Sequence, residues 1–224
     1  MSAFAVEAQD LWKTYARADG PALQGVTFAV RPGEVVAVVG RSGSGKTTLL
    51  NLVAGLDRPD RGTVRVAGQD LRALGEHGRT RLRRERLGFV FQFFNLLPTL
   101  TARENVLLAL ELRGRADPRR ADEALEAVGL ADKAHRYPHE LSGGEQQRVA
   151  VARALVKDPA AILADEPTGN LDTRTGDEVL ALLCQAARDR GAALVMATHS
   201  ERAARAADRV LRMADGRLTE DVSP

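Results

Sequence analysis

"EVVAVVGRSGSGKT", residues 34–47, is the stretch on which the fold turns. Residues 35–39 are aliphatic without alternation and stop at Gly40. Such a run predicts a strand buried on both faces, the kind found inside a parallel sheet. The residues that follow match G-x-x-x-x-G-K-[S/T], and "TLLNLVAGL" continues them with helical spacing. Small residues at 40–45 let successive backbone N–H groups converge on phosphate oxygens at a helix N-terminus. Lys46 is then placed to neutralise phosphate charge and the Thr47 hydroxyl to ligate a divalent cation. Strand, loop and helix in that order predict an α/β fold.

Working outward, three more short apolar runs end in polar groups. "LGFVFQ" (87–92) ends at Gln92, "AAILADE" (160–166) at Asp165 and Glu166, and "AALVMATH" (192–199) at His199. In parallel sheets ligands gather at the carboxyl ends of strands, so these four ends form one candidate site. Asp165 is placed to hold the cation shell, and Glu166 to take a proton from an attacking water. The opening portion differs. "ALQGVTFAV" (22–30) and "GTVRVAG" (62–68) alternate at Val26, Phe28, Val30 and at Val64, Val66, which predicts half-buried antiparallel strands, with a turn at "VRPGE".

Between Gln92 and about residue 158 the pattern becomes helical, as in "TARENVLLALELRG" and "PRRADEALEAVGL", an insertion between strands rather than an independent domain. "RTRLRRERLG" (79–88) is dense in arginine and predicts a solvated helix face. In "LSGGEQQ" (141–147), Ser142 and Glu145 form a capping box opening a helix that ends before Pro159. Gly143 and Gly144 cost about 1 kcal/mol each against alanine in a helix, so something is expected to approach the backbone there, and a phosphate suits a helix N-terminus.

The bulk numbers set bounds. The 224 residues carry a net charge of +2, which gives no strong overall field for nucleic acid. Four lysines stand against 28 arginines, a compositional bias. The lone Cys184, in apolar "EVLALLCQAA", excludes an internal disulfide and is expected to be a packed core thiol. No apolar run approaches the roughly 18–20 residues of a membrane span, and the N-terminus lacks the order of a secretory signal. A cytosolic protein, or one held at a membrane through a partner, is expected. The chain ends soon after "VLRMADGRLTEDV", so no appended regulatory domain is expected.

The ordered set GRSGSGKT, Gln92, LSGGEQQ, ILADEP, NLD and His199 resembles the nucleotide-binding subunit of ATP-binding cassette (ABC) transporters. The resemblance implies a P-loop NTPase of ABC type, with a parallel-sheet core, an N-terminal antiparallel β portion and a helical insertion. Residues 1–92 and 159–224 would form the RecA-like core and 93–158 the helical subdomain. It further implies a head-to-tail homodimer holding two ATP and Mg²⁺. Gly40, Arg41, Ser42, Gly43, Ser44, Gly45, Lys46, Thr47 and Thr48 would surround one nucleotide in each chain. Ser142, Gly143 and Gly144 would meet the nucleotide held by the other protomer. Tyr15 resembles the adenine-stacking aromatic, its alternative being an ordinary surface or core tyrosine. Gln92 resembles the glutamine that touches Mg²⁺ and water, joining Thr47 and Asp165 around the metal. Asp172 resembles the dimer-facing aspartate and His199 the histidine that contacts the γ-phosphate. Ser200 departs from the aspartate commoner at its place.

"FQFFNLLPTLTARENV" and "LADEPTGNLD" look like the lipoprotein-release, macrolide-export and cell-division ATPases. That likeness implies an integral-membrane permease as partner, a location on the cytoplasmic face of the membrane, and no direct nucleic-acid contact. Residues 93–98 would line the groove for the permease's coupling helix or pack internally. The competing expectations are the ATPase subunit of an amino-acid or peptide importer and a soluble ABC-type ATPase acting on nucleic acid or ribosomes. Against the latter, 94 residues without a heptad array separate Thr47 from Ser142.

Overall fold

The computed structural model describes residues 3–16 and 20–222. β1 (Val6–Thr14) and β2 (Pro21–Val30) pair antiparallel, with Val6 opposite Val30. The sequence does not announce β1. A bulge around Asp10, whose φ is 50°, shifts register between Ala8 and Leu11, so the buried residues fall out of strict alternation. β3 (Val35–Val39) leads through the glycine-rich loop into α1 (Lys46–Val53). β4 (Arg61–Val66) and the two-residue β5 (Gln69–Asp70) complete an antiparallel sheet in the order β2-β1-β4-β5. Val26, Phe28, Val30, Val64 and Val66 are all buried, as their alternation predicts.

α2 (Glu76–Arg86) runs directly into β6 (Leu87–Phe91). Three helices follow: α3 (Ala102–Glu111), α4 (Pro118–Ala127) and α5 (Gly143–Leu155). The chain then returns through β7 (Ala161–Asp165), α6 (Thr173–Asp189), β8 (Ala193–Thr198) and the short α7 (Glu201–Ala204) to β9 (Arg209–Ala214) and β10 (Arg217–Val222). The second sheet has the order β10-β9-β3-β8-β7-β6, parallel except for the β10 edge.

Strand periodicity divides the interior. Val35, Ala37 and Val39 face the cluster built with α3–α6, whereas Val36 and Val38 face the cluster built with α1 and the antiparallel sheet. A strand feeding two apolar layers has no polar face, which is why 35–39 reads as an unbroken run. The register Val39–Thr198, Asp165–Ala197 and Phe91–Asp165 brings the carboxyl ends of four strands level.

One expectation needs correction. The arginine run is only partly solvated: Arg79 is 3% exposed, donating to the Leu74 carbonyl and pairing with Glu76, and Arg83 donates to the Gly55 carbonyl. Long apolar stems let these arginines serve as interior braces. Gly144 also has a close neighbour within its own chain: a Cβ there would overlap the Thr175 methyl of α6. Gly143 has ordinary van der Waals room. Residues 93–98 divide, Phe93 being 72% exposed while Leu96 packs against the core. Cys184 is buried in α6. Among the described residues no helix is long and apolar enough to cross a membrane.

Candidate functional site

A cleft of about 950 Å³ opens at the level strand ends, lined by Arg41–Gly43, Gly45–Thr48, Gln92, Asp165, Glu166 and His199 among others. The loop owes its shape to two glycines that admit no side chain. A Cβ on Gly40 would lie 2.5 Å from the Met213 carbonyl, and one on Gly45, at φ +105°, 2.5 Å from the Ala22 carbonyl. Gly43, at φ +80°, has nothing within 4 Å and forms the open side. Ser44 Oγ is buried without a hydrogen-bond partner among the described residues. Lys46 is largely buried, and its Nζ donates to the carbonyls of Gly40 at 2.7 Å and Arg41 at 3.1 Å, so the ammonium lies back over the loop.

Across the cleft, Thr47 Oγ1 donates to Asp165 Oδ2 at 3.2 Å. Burial raises the Asp165 carboxyl above its usual range, Thr47 and Lys46 pull it down, and Glu166 adds to the rise. A half-buried carboxylate facing a hydroxyl and a second carboxylate is a place where a cation is stabilised. Glu166 sits in left-handed backbone, φ 47°, with its N–H donating to Ala197 O at 2.9 Å. Strain of this kind costs about 1–3 kcal/mol and persists only where neighbours over-determine it. Here Thr198 Oγ1 donates to Oε2 at 3.2 Å, the His199 N–H to Oε2 at 3.4 Å, and His199 Nδ1 lies 2.8 Å from Oε1. A carboxylate only accepts, so Nδ1 carries the proton and Nε2 faces outward.

Gln92 and Asn170 exchange bonds, Gln92 Nε2 to Asn170 Oδ1 at 3.0 Å and Asn170 Nδ2 to Gln92 O at 3.1 Å. Asp172 lines a smaller adjoining cavity of about 190 Å³ bounded by Glu166 and His199. Its carboxylate caps α6, accepting from the Arg174 and Thr175 N–H groups, and the Thr175 bonds hold its carboxyl below the usual range. Ser200 caps α7, accepting from the Ala203 N–H.

Besides Gly40 and Ser44 within the loop and Asp172 in the adjoining cavity, four sequence candidates do not line the cleft. Tyr15 is not among its lining residues; its hydroxyl donates to Asp57 Oδ2 at 2.8 Å, and Lys13 lies 5.1 Å from the ring centroid. Ser142, Gly143 and Gly144 do not line it either. The exposed Ser142 closes the capping box with Glu145, which also pairs with Lys133. The sequence does not single out Gln147, whose fully buried amide donates to the carbonyls of Phe91, a lining residue, and Pro167. A signal existed: helical spacing puts Gln147 on the buried stripe with Gly144 and Val151, where a polar residue needs partners.

The profile of a family described as ABC transporter matches residues 23–169, more than half of the chain. The chain belongs to the ABC transporter family. It is an ATP-binding subunit and ATPase of that family. The lipoprotein-releasing system ATP-binding protein LolD of Maricaulis maris is 47% identical over 224 residues, covering 98% of each chain. An uncharacterized ABC transporter ATP-binding protein of Mycobacterium tuberculosis is 50% identical over 204 residues, covering 90% of this chain and 82% of the relative. Among solved structures, the ATP-binding cassette MJ0796, a dimer in a post-hydrolysis state bound to ADP and Pi, superposes with a TM-score of 0.87 at 39% identity. That match covers 97% of this chain and 98% of the other.

The residues of this ABC ATPase fit its nucleotide and a divalent cation. Gly43 leaves an open cradle and Ser44 Oγ an orphaned polar atom beside it. Thr47 and Asp165 supply a hydroxyl and a carboxylate, a hard oxygen set suited to Mg²⁺, which takes few protein ligands and completes its shell from phosphates and water. Among the described residues no group of three or more His, Cys, Asp or Glu gathers into a cage.

Proposed function

We propose that this subunit hydrolyses ATP in the strand-end cleft only as a head-to-tail homodimer, and that it drives a membrane permease of the lipoprotein-release type. One observation carries the dimer: Arg41–Gly43, Gly45–Thr48, Asp165, Glu166 and His199 line one cleft, while the capped turn at Ser142 does not line it. A second copy turned head to tail would bring its Ser142 and Gly143 N–H groups to the exposed side of the nucleotide. The dimeric MJ0796 cassette supports that arrangement.

In this mechanism the N–H groups of Arg41–Thr47 and the Lys46 ammonium bind the phosphates, and Lys46 exchanges its loop carbonyls for phosphate oxygens. Thr47, Asp165 and Gln92 would hold Mg²⁺, which supplies neutralisation of phosphate charge. Glu166, held by Thr198 and His199, takes the proton of the attacking water at a carboxylate oxygen. His199 presents Nε2 towards the γ-phosphate, and Tyr15 lies at the adenine end beside Thr48. Catalysis is chiefly positioning and electrostatics.

For the permease, residues 93–158 act as the receiving unit, at the cytoplasmic face of the membrane. A groove of about 560 Å³ is lined by Phe89, Phe91, Leu108, Leu112, Arg153 and Lys157 among others. The Phe89 and Phe91 rings stack at 5.9 Å. Neither Arg153 nor Lys157 has an ion-pair partner among the described residues. An amphipathic permease segment with an apolar face and a carboxylate suits such a groove. The LolD relatives and the "LADEPTGNLD" stretch support the lipoprotein-release type.

Glu166→Gln tests the reading. The variant should bind ATP, lose hydrolysis and accumulate as a dimer on gel filtration with ATP, whereas Lys46→Ala should lose ATP affinity. Wild-type turnover in Glu166→Gln, or a strictly monomeric protein at full speed, would overturn it.

A further inference from the structure

Gln147 stands where three parts of the molecule meet. Its side chain is fully buried, and Nε2 donates to Phe91 O at 3.1 Å and to Pro167 O at 2.5 Å. Its Oε1 is buried without a partner. Leaving an acceptor unpaired in the interior is unfavourable, so the amide's value lies in its two donated bonds. Both acceptors are at decisive places in the chain. Phe91 is the last residue of β6 and precedes Gln92; Pro167 directly follows the strained Glu166.

The same residue belongs to α5, five positions beyond Ser142, about 7 Å along a rigid helix. The start of that helix has little freedom, because Gly144 packs against Thr175 and Ser142 is locked with Glu145. Farther along α5, Arg153 donates to the Phe94 and Asn95 carbonyls, two left-handed residues just past Gln92. A rotation of α5 therefore cannot leave the Gln92 and Glu166 backbones where they were. Of the tethers, only Gln147 reaches both.

We infer that Gln147 is a positioning residue that couples the two nucleotide sites: when the Ser142 turn engages the neighbour's ATP, α5 moves and Gln147 draws Gln92 and Glu166 of its own cleft into their working arrangement. The inference rests on the head-to-tail dimer proposed above. Gln147 touches no nucleotide itself; its effect passes through the carbonyls of Phe91 and Pro167.

The test is Gln147→Met, which keeps the volume and removes both donors. ATP affinity and KM should change by less than about twofold while kcat falls about 10- to 100-fold, the cost of misplaced rather than missing groups. The Hill coefficient for ATP should fall towards about 1 from a wild-type value nearer the number of sites. A purely structural amide would lower the melting temperature and leave the Hill coefficient unchanged. If Gln147→Met fails to fold, Gln147→Glu replaces it. The introduced carboxyl donates only when protonated, so kcat and cooperativity should recover as pH is lowered. Glu166→Gln serves as the control. No ATP-dependent dimer in that variant would bring down the dimer reading. A dimer there, together with full cooperativity in Gln147→Met, or with a Gln147→Glu protein indifferent to pH, would overturn the role of Gln147 alone.

Discussion

Replacing Lys157 by methionine should make the isolated protein more stable near neutral pH. Lys157 is partly buried at the groove lined by Phe89, Leu108 and Arg153. Burial, followed by repulsion from Arg113 and Arg153, lowers its pKa from 10.5 to about 8. Among the described residues, Nζ donates to Arg83 O at 3.2 Å. A drop of about 2.5 pH units corresponds to about 3 kcal/mol at 1.36 kcal/mol per unit. The folded pKa lies below the unfolded one, so between pH 8 and 10.5 the unfolded chain binds the extra proton. The penalty is therefore fully present below pH 8 and is relieved as pH rises through that window. Lys157→Met removes the charge, keeps most of the apolar stem and loses the bond to Arg83 O, which offsets about 1–2 kcal/mol. The net expectation is a gain of about 1–2 kcal/mol at pH 7, or about 3–6 °C in Tm for a chain of this size. Cys184 complicates the wild-type curve: burial raises its thiol from 9.0 to about 11, so above pH 9 the unfolded chain loses that proton first and stability falls. The informative quantity is the difference between variant and wild type, from urea melts at pH 7, 8, 9 and 10. It should shrink steadily above pH 8. A variant less stable than wild type at pH 7, with a difference that does not vary with pH, would refute the account of a charge buried without a carboxylate.

Gly144→Ala should be destabilising by about 1–3 kcal/mol through overpacking, less whatever helix propensity returns. The double change Gly144→Ala with Thr175→Ser removes the methyl that the new Cβ would meet and should recover the melting temperature. Recovery of stability without recovery of ATP turnover would mean that the neighbour's phosphate also needs the bare backbone; no loss in the single variant would remove the packing explanation. The Cys184 thiol, 2% exposed with a raised pKa, should resist iodoacetamide in the native protein at pH 8. Modification at the rate of an exposed thiol would contradict its placement in α6.

Local pattern and tertiary contact divide the molecule along a physical line. Backbone-level features were legible because their causes are short-range. The aliphatic run at 35–39, the glycines of the loop, the alternation at 26–30 and the Ser142–Glu145 box each act over a few residues. The structure places them as that chemistry requires. The polar residues closing the four runs marked the cleft for a related reason: parallel strands with apolar interiors must meet solvent at their ends. β1 escaped notice because its bulge breaks the period that strand recognition relies on.

The sequence alone therefore determined the nature of most elements, the glycine-rich loop and the polar groups that line the cleft at the strand ends. Tertiary structure alone decided that Arg79 lies inside, that Gly144 packs against Thr175, that Lys157 has no counter-charge among the described residues, and that Gln147 joins Phe91 to Pro167. Each of those depends on what a distant segment brings alongside, from 20 residues away in one case to 56 in another. Side-chain burial, unlike backbone periodicity, is a property of the neighbour as much as of the residue, and no local window of sequence contains the neighbour.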